Sequence, residues 1–247
     1  MSIPADLAKL SVQDFAKRFR QEMVPLGNRF AWFSLVPLAE DDVKEYLEDP
    51  IAALPPTLQA GLTPVSIFFV PYLEKPGGGP ESVAFTPPPN SVRALSARFD
   101  ANGGAVLVFA IKDQDVADYH YFFYRAIAGI IADHFRPEKL AGYYDLLREE
   151  LRARVHGEVE EESWKLKQTL LQRQTDVRRD TKLFRSYARQ SLIDTLTLYL
   201  HGICCDIDVE TGPRQLPSRY LRRRLELLHD IFPPPEGCAV FPEELKS

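Results

Sequence analysis

The pattern of apolar residues changes near residue 113 and gives the two halves of the chain different characters. Before this point, short β-branched and aromatic runs are separated by proline and glycine, which predicts strands joined by turns. After it, apolar residues recur at helical spacing, which predicts a succession of amphipathic helices. Strands followed by a run of helices indicate the α+β class, with a sheet-rich N-terminal half packed against a helical C-terminal half.

The strand-rich segment is predicted over residues 28–112. Its clearest strand is Val65–Val70, and its clearest supersecondary unit is an antiparallel hairpin formed by residues 92–99 and 105–112. The Asn102-Gly103 pair between them is typical of a tight hairpin turn. A helix that begins at Ser11 precedes this segment, because a serine followed three residues later by an acidic residue is a capping signal.

The helical segment is predicted over residues 115–231, with a break near residue 175 and a last helix at Ser218–Ile231. Pro233-Pro234-Pro235 then predicts an extended tail over residues 232–247. No linker separates two cores, and 247 residues can bury one large core. We therefore predict a single α+β domain over residues 1–247.

Composition excludes several classes of protein. The net charge of −5 provides no global attraction for nucleic acid or for an anionic membrane, so we expect neither as a partner. The longest apolar stretch, residues 119–132, is interrupted by Arg125 and is too short to span a bilayer. The N-terminus lacks a signal peptide and only three cysteines are present, which predicts a cytoplasmic protein with reduced thiols.

Sequence motifs for catalysis are absent. The chain contains no phosphate-binding loop, no dinucleotide-binding glycine pattern, no nucleophile elbow and no cysteine pair with zinc-site spacing. We therefore expect no metal and no cofactor. Catalytic groups can also be assembled in space from distant residues, so the absence of motifs leaves enzymatic activity open.

The segment around His120 provides one candidate site. A hairpin followed by a helix that carries His120 resembles the arrangement in zincin metallopeptidases, over about residues 92–132. Those enzymes carry H-E-x-x-H, with two zinc-binding histidines and a glutamate base. Here Tyr121 replaces the glutamate and Tyr124 replaces the second histidine. The resemblance implies a degenerate zincin-like protein with His120 and Tyr124 in a pocket; the alternative is a buried aromatic helix.

Two further clusters contain metal-binding residue types. His201, Cys204 and Cys205 lie close together in sequence, but neither their spacing nor their number matches a structural zinc site. The acidic run Glu158–Glu162 lacks the alternating ligands of a calcium loop. It is typical of a solvated cap at the positive end of the following helix.

Basic residues provide the last candidate site. A helix through this region would align four of them on one face: Arg178, Lys182, Arg185 and Arg189. Such a face could bind an anion, or it could be solvated or paired within the molecule. Arg219 and Arg222–Arg224 form a second basic group, and Glu149, Glu150 and Glu158–Glu162 could pair with either group.

The leading functional prediction is a non-catalytic protein that binds a protein partner or forms part of an assembly, because no catalytic constellation is complete. The first alternative is the degenerate zincin-like protein built around His120. The second is an anion-binding module that uses the basic face from Arg178 to Arg189. The oligomeric state stays open.

Overall fold

The computed structural model describes residues 10–241 with gaps at 28, 78, 136, 174–178 and 205–213. The fold is α+β, with a mixed five-stranded sheet, a three-stranded antiparallel sheet and a helical C-terminal half, which confirms the predicted class. The chain comprises two compact units. The N-terminal unit is Met1–Asp49 with Leu62–Ala126, and the C-terminal unit is Pro50–Gly61 with Ile127–Ser247. The single domain stays a prediction.

The helices and strands follow in chain order. In the first half they are α1 (Val12–Phe19), β1 (Val24–Leu26), β2 (Phe30–Ser34), α2 (Glu40–Val43), α3 (Asp49–Ala52), α4 (Pro56–Gly61), β3 (Val65–Val70), β4 (Tyr72–Glu74), β5 (Ser82–Ala84), β6 (Arg93–Ala94), β7 (Ser96–Ala101) and β8 (Gly104–Ala110). In the second half they are α5 (Val116–His134), α6 (Ala141–Arg152), α7 (Glu161–Gln172), α8 (Lys182–Cys204) and α9 (Ser218–Ile231). Among these described residues, no helix combines the length and apolar character that crossing a bilayer requires.

The larger sheet has the strand order β1-β2-β3-β8-β7. Strands β2, β3 and β8 are parallel, and the two outer strands are antiparallel to their neighbours. Five of the six residues of β3 are buried, because both faces of the sheet are covered. On one face Phe15 of α1 packs against Phe68, with ring centroids 5.7 Å apart. On the other face Tyr119 packs against Phe109 at 5.1 Å.

Helix α1 begins as predicted. The backbone N–H of Asp14 donates a hydrogen bond to Ser11 Oγ at 3.1 Å, which caps the helix. The helix ends at Phe19, and a short 3₁₀ turn, Arg20–Glu22, follows it. Eight helical residues extend about 12 Å, whereas the seven residues of β8 extend about 23 Å. Helix α1 is therefore shorter than the strand that it crosses.

The predicted hairpin is confirmed as β7 and β8. Asn102 and Gly103 form its two-residue turn with φ of 53° and 76°, the left-handed region that such turns require. Gly104 then lies so close to β3 that a Cβ atom would stand 2.4 Å from the carbonyl oxygen of Pro64. The first strand begins at Ser96, later than predicted, because Arg93–Ala94 pairs with β4 in the smaller sheet.

The second half of the chain contains the predicted helices. The helical stretch predicted from residue 163 is divided into α7 and α8, and the last helix has the predicted bounds. Helix α8 carries thirteen buried residues. Its apolar and polar residues are not separated onto opposite faces, as expected of a helix surrounded by others. Several of the residues buried on and around it are polar, and these residues form the network described below.

Candidate functional site

His120 lies in the aromatic core of the N-terminal unit. Its Nε2 donates a hydrogen bond to the backbone carbonyl oxygen of Glu45 at 2.9 Å, and only 7% of the residue is exposed. Tyr124 is fully buried, with its ring centroid 6.4 Å from that of His120. In the part of the chain that the structure describes, no group of three His, Cys, Asp or Glu residues could hold a metal. The pocket at His120 and Tyr124 stays a prediction.

The cysteine-containing cluster is only partly described. Cys204 is the last residue of α8 and is a free thiol, as is Cys238. Cys205 and the two aspartates that follow it lie outside the described residues. The structure therefore neither assembles nor excludes a site there.

The basic face on α8 is partly paired within the C-terminal unit. Arg189 Nη2 forms an ion pair with Asp133 Oδ1 at 2.7 Å, and Arg185 Nη1 donates to the backbone carbonyl oxygen of Asp180 at 2.9 Å. Lys182 is exposed at the first position of the helix. Arg178 lies outside the described residues. Internal pairing is thus confirmed for Arg189, and anion binding by this face stays a prediction.

A cleft of about 530 Å³ in the C-terminal unit is lined by part of this face. Three guanidinium groups line it, from Arg148, Arg185 and Arg189. Arg148 lies above the ring of Phe184 at 4.6 Å and forms ion pairs with Asp145 and Asp180. Because aspartates inside the same unit already neutralise Arg148 and Arg189, the cleft has little surplus positive charge for an external anion.

A buried ionic network surrounds Arg224 of α9. All five guanidinium hydrogens have acceptors, since Nε and Nη2 bind Glu150, Nη1 and Nη2 bind Glu158, and Nη1 also binds Ser191 Oγ at 2.9 Å. Each of these side chains is at most 1% exposed. A saturated guanidinium of this kind has no donor left for a ligand, so its role is structural.

Lys167 and Tyr187 complete the surroundings of Glu158. Tyr187 donates to Glu158 Oε1 at 2.6 Å, and Lys167 Nζ lies 3.0 Å from the same oxygen. Burial alone would raise the pKa of Glu158, but the adjacent charge of Arg224, with Lys167 and Tyr187, lowers it to about 2. The prediction of a solvated Glu158 is therefore wrong, because the residue is buried among cations.

The alternative of internal pairing with the predicted glutamates is confirmed for Arg223 and Arg224 of the second basic group. Arg223 pairs with Glu149 at 2.7 Å on the surface, and Arg224 pairs with Glu150 at 2.5 Å in the interior. The sequence indicated these partners by charge alone. It could not distinguish the exposed pair from the buried one, because both arginines lie in the same short run.

A groove of about 430 Å³ lies in the N-terminal unit between α1 and the β7–β8 hairpin. We call it the hairpin groove, and six of its lining residues mark its position: Lys17, Arg20, Ser66, Phe68, Phe99 and Val106. It exists because α1 is too short to cover the amino ends of β3 and β8. Phe68 and Val106 form a buried floor, while Phe99 is only partly buried.

Two of the three charged side chains described at the hairpin groove are cationic, and all three are solvent-exposed. Lys17 and Arg20 stand on its α1 side, and within the described residues neither forms an ion pair. Asp100, which also lines the groove, has an interaction of its own with another residue. The groove therefore presents an excess of one positive charge beside apolar side chains, in a chain whose net charge is −5.

Sequence reasoning missed the hairpin groove. The residues of α1 and of the 3₁₀ turn after it that line the groove are Gln13, Ala16, Lys17 and Arg20, which are spaced i, i+3, i+4 and i+7 and share one face. This spacing was visible in the sequence beside the apolar face of Phe15 and Phe19. The sequence did not show that the β7–β8 hairpin would lie opposite the face that carries Lys17 and Arg20.

Comparison with protein-family models, with curated proteins and with solved structures returns no match. Evidence for function therefore comes from the geometry of this chain alone.

Proposed function

We propose that the chain is a non-catalytic binding protein and that its hairpin groove binds an acidic, apolar segment of a partner protein. The observation that carries the proposal is the placement of Lys17 and Arg20, without carboxylate partners in the described residues, beside the partly buried ring of Phe99 and the apolar floor of the groove. Apolar contacts at the centre and charged contacts at the rim are the usual anatomy of a protein interface.

The charge of the groove selects the kind of partner. A partner segment that carries Asp or Glu gains complementary contacts with Lys17 and Arg20, which raise specificity and association rate. A basic segment would be repelled by the same two residues. Apolar side chains of the segment would remove the remaining exposed surface of Phe99 from water, which contributes favourable free energy.

The strand beside the groove also favours an extended segment. Strand β7 is at one end of the five-stranded sheet, so its outer edge has no strand partner in the described residues. Unpaired edges of this kind accept added strands from other chains. Phe99 and Ala101 of β7 line the groove itself, so a segment along this edge would place side chains over the floor.

The composition of the groove supports binding without catalysis. Its described lining contains neither histidine nor cysteine, and Ser66 is its only hydroxyl group. An unactivated serine is a weak nucleophile, because it needs a nearby base to remove its proton. The groove therefore has the chemistry of recognition rather than of bond cleavage.

A peptide-display selection tests the proposal. Random twelve-residue peptides are selected on the wild-type protein and on the variant that combines Lys17→Glu with Arg20→Glu. We expect wild-type selection to enrich peptides that combine acidic with apolar residues, and we expect these to bind the variant at least tenfold more weakly. The matched control combines Arg29→Glu with Lys44→Glu, two exposed residues of the same unit that change the net charge equally.

Three outcomes contradict the proposal. Enriched peptides without acidic bias, or equal binding to the wild type and the groove variant, would remove the groove as the binding site. Dodecanoate that binds in a Lys17-dependent manner, without peptide enrichment, would assign the groove to a small anionic amphiphile instead. Circular dichroism and thermal unfolding of all three proteins establish that the variants are folded.

A further inference from the structure

The carboxyl ends of the parallel strands β3 and β8 carry a second cluster, at the opposite edge of the sheet from the hairpin groove. Tyr72 comes two residues after the end of β3, and Lys112, Asp113 and Gln114 follow the end of β8. Arg93 of the smaller sheet lies beside them. Ligands of sheets with parallel strands commonly bind beyond the carboxyl ends of the strands.

The cluster is organised around the side chain of Tyr72. Its hydroxyl donates a hydrogen bond to Asp113 Oδ2 at 2.6 Å, and its ring centroid lies 5.8 Å from Arg93 Cζ and 5.7 Å from Lys112 Nζ. Asp113 has φ of 59°, a conformation that is unfavourable for a residue with a side chain. Strained backbone of this kind is concentrated at functional sites.

Two nitrogen atoms lack partners among the described residues, one on Arg93 and one on Gln114, the residue that follows Asp113. Arg93 Nε and Gln114 Nε2 are buried and make no hydrogen bond within the described chain. Arg93 Nη2 reaches only the backbone carbonyl oxygen of Lys112, at 3.5 Å. A buried donor without an acceptor is unfavourable by about 1–3 kcal/mol. A ligand that accepts a hydrogen bond from such a donor would remove this cost.

The positive charges of the cluster are also unneutralised. Within the described residues neither Arg93 nor Lys112 forms an ion pair with a carboxylate. Asp113 accepts the hydrogen bond of Tyr72, and this hydrogen bond raises the pKa of Tyr72. The phenol therefore stays protonated at neutral pH and keeps one oxygen of Asp113 occupied.

We propose that Arg93, Lys112 and Gln114 form an oxyanion-binding site around Tyr72, which we call the carboxyl-edge site. A guanidinium, an ammonium and a primary amide together offer the donors that phosphate and carboxylate groups accept. An oxyanion there would bind the two unpartnered nitrogen atoms and balance the two cations. The site is independent of the proposed partner-binding groove, since the two share no residue.

Titration with inorganic phosphate and, separately, with acetate tests this proposal at constant ionic strength. Binding is followed by the backbone and side-chain amide signals of the full-length protein, with chloride as the reference anion. We expect saturable shifts at Gln114 and its neighbours, and at least tenfold weaker binding in both Arg93→Gln and Lys112→Gln. Lys44→Gln removes an exposed lysine elsewhere in the unit and is expected to leave binding unchanged.

The two anions distinguish the sources of the oxyanion, since a preference for phosphate indicates a phosphorylated ligand and a preference for acetate a carboxylate. Shifts that do not saturate, or that Lys44→Gln reduces as much as Lys112→Gln, would overturn the site. If Arg93→Gln fails to fold, Lys112→Gln still decides the question, because the Lys112 side chain is exposed. These outcomes are independent of whether peptides bind the hairpin groove.

Discussion

Arg224 Nη1 donates to Glu158 Oε2 at 2.7 Å, and neither side chain is exposed to solvent. The two residues are 66 positions apart in the sequence, so their pair links α9 to the segment that precedes α7. Buried ion pairs are costly to desolvate, and this pair is retained with every donor of the guanidinium satisfied. We infer that the pair specifies how the elements of the C-terminal unit are arranged.

Substitution of Arg224 by methionine should strongly destabilise the protein. The change keeps an apolar side chain but leaves the carboxylates of Glu150 and Glu158 buried, with Lys167 as the one remaining cation beside them in the described part of the chain. Breaking a buried pair in this way typically lowers the free energy of unfolding by about 3–5 kcal/mol. Urea denaturation at neutral pH measures the loss.

Arg223→Met is the matched control for that experiment. Arg223 is the preceding residue of α9 and pairs with Glu149, but both side chains are about half exposed. Exposed pairs contribute about 0–1 kcal/mol to stability. The free energy of unfolding of this variant should therefore stay close to that of the wild type. Equal losses in the two variants would show that burial of the Arg224 pair is not what stabilises the unit.

Glu158 should make the stability of the protein depend on acid pH. Its folded-state pKa is about 2, below the usual value of 4.5, because Arg224 and Lys167 stabilise its charge. The corresponding stabilisation, on the order of 3 kcal/mol, is fully present above pH 4.5 and is lost as the pH falls through 2. We expect the advantage of the wild type over Glu158→Gln to shrink over this range, as measured by urea denaturation. A constant difference from neutral to acid pH would refute the assignment.

Two adjacent glycines of the hairpin should respond differently to alanine. At Gly103 a Cβ atom meets nothing within 4 Å, so Gly103→Ala should cost only the strain of a positive φ, about 1 kcal/mol. At Gly104 a Cβ atom would stand 2.4 Å from the Pro64 carbonyl oxygen and would separate β8 from β3. Gly104→Ala should therefore be the more destabilising variant in thermal unfolding. The reverse order would contradict the close approach of the two strands.

Local signals in the sequence predicted much of the fold. Val65–Val70 is a strand with the predicted bounds because β-branched and aromatic residues occupy it between two prolines. The Asn102-Gly103 turn was predictable because few residue pairs adopt positive φ twice in succession. The parallel pairing of β2, β3 and β8 was not predicted, since it joins segments whose order along the sheet depends on distant contacts.

The sites were less predictable than the fold, for a physical reason. Glu158 appears in the sequence as one of several consecutive charged residues, and its burial depends on a partner 66 residues away. Lys17 and Arg20 are ordinary exposed cations until the hairpin faces them. The sequence around His120 resembles the zinc-binding motif of zincins, whereas in the structure His120 donates a hydrogen bond to the backbone of Glu45 within the core.

The hairpin groove should be the surface on which a selected acidic peptide binds. A map of backbone amide shifts during titration of the wild-type protein with such a peptide tests this most directly. The account predicts the largest shifts at residues 13–20 and 99–106, and their loss in the variant that combines Lys17→Glu with Arg20→Glu. Shifts centred elsewhere, or a map that the variant leaves unchanged, would contradict it.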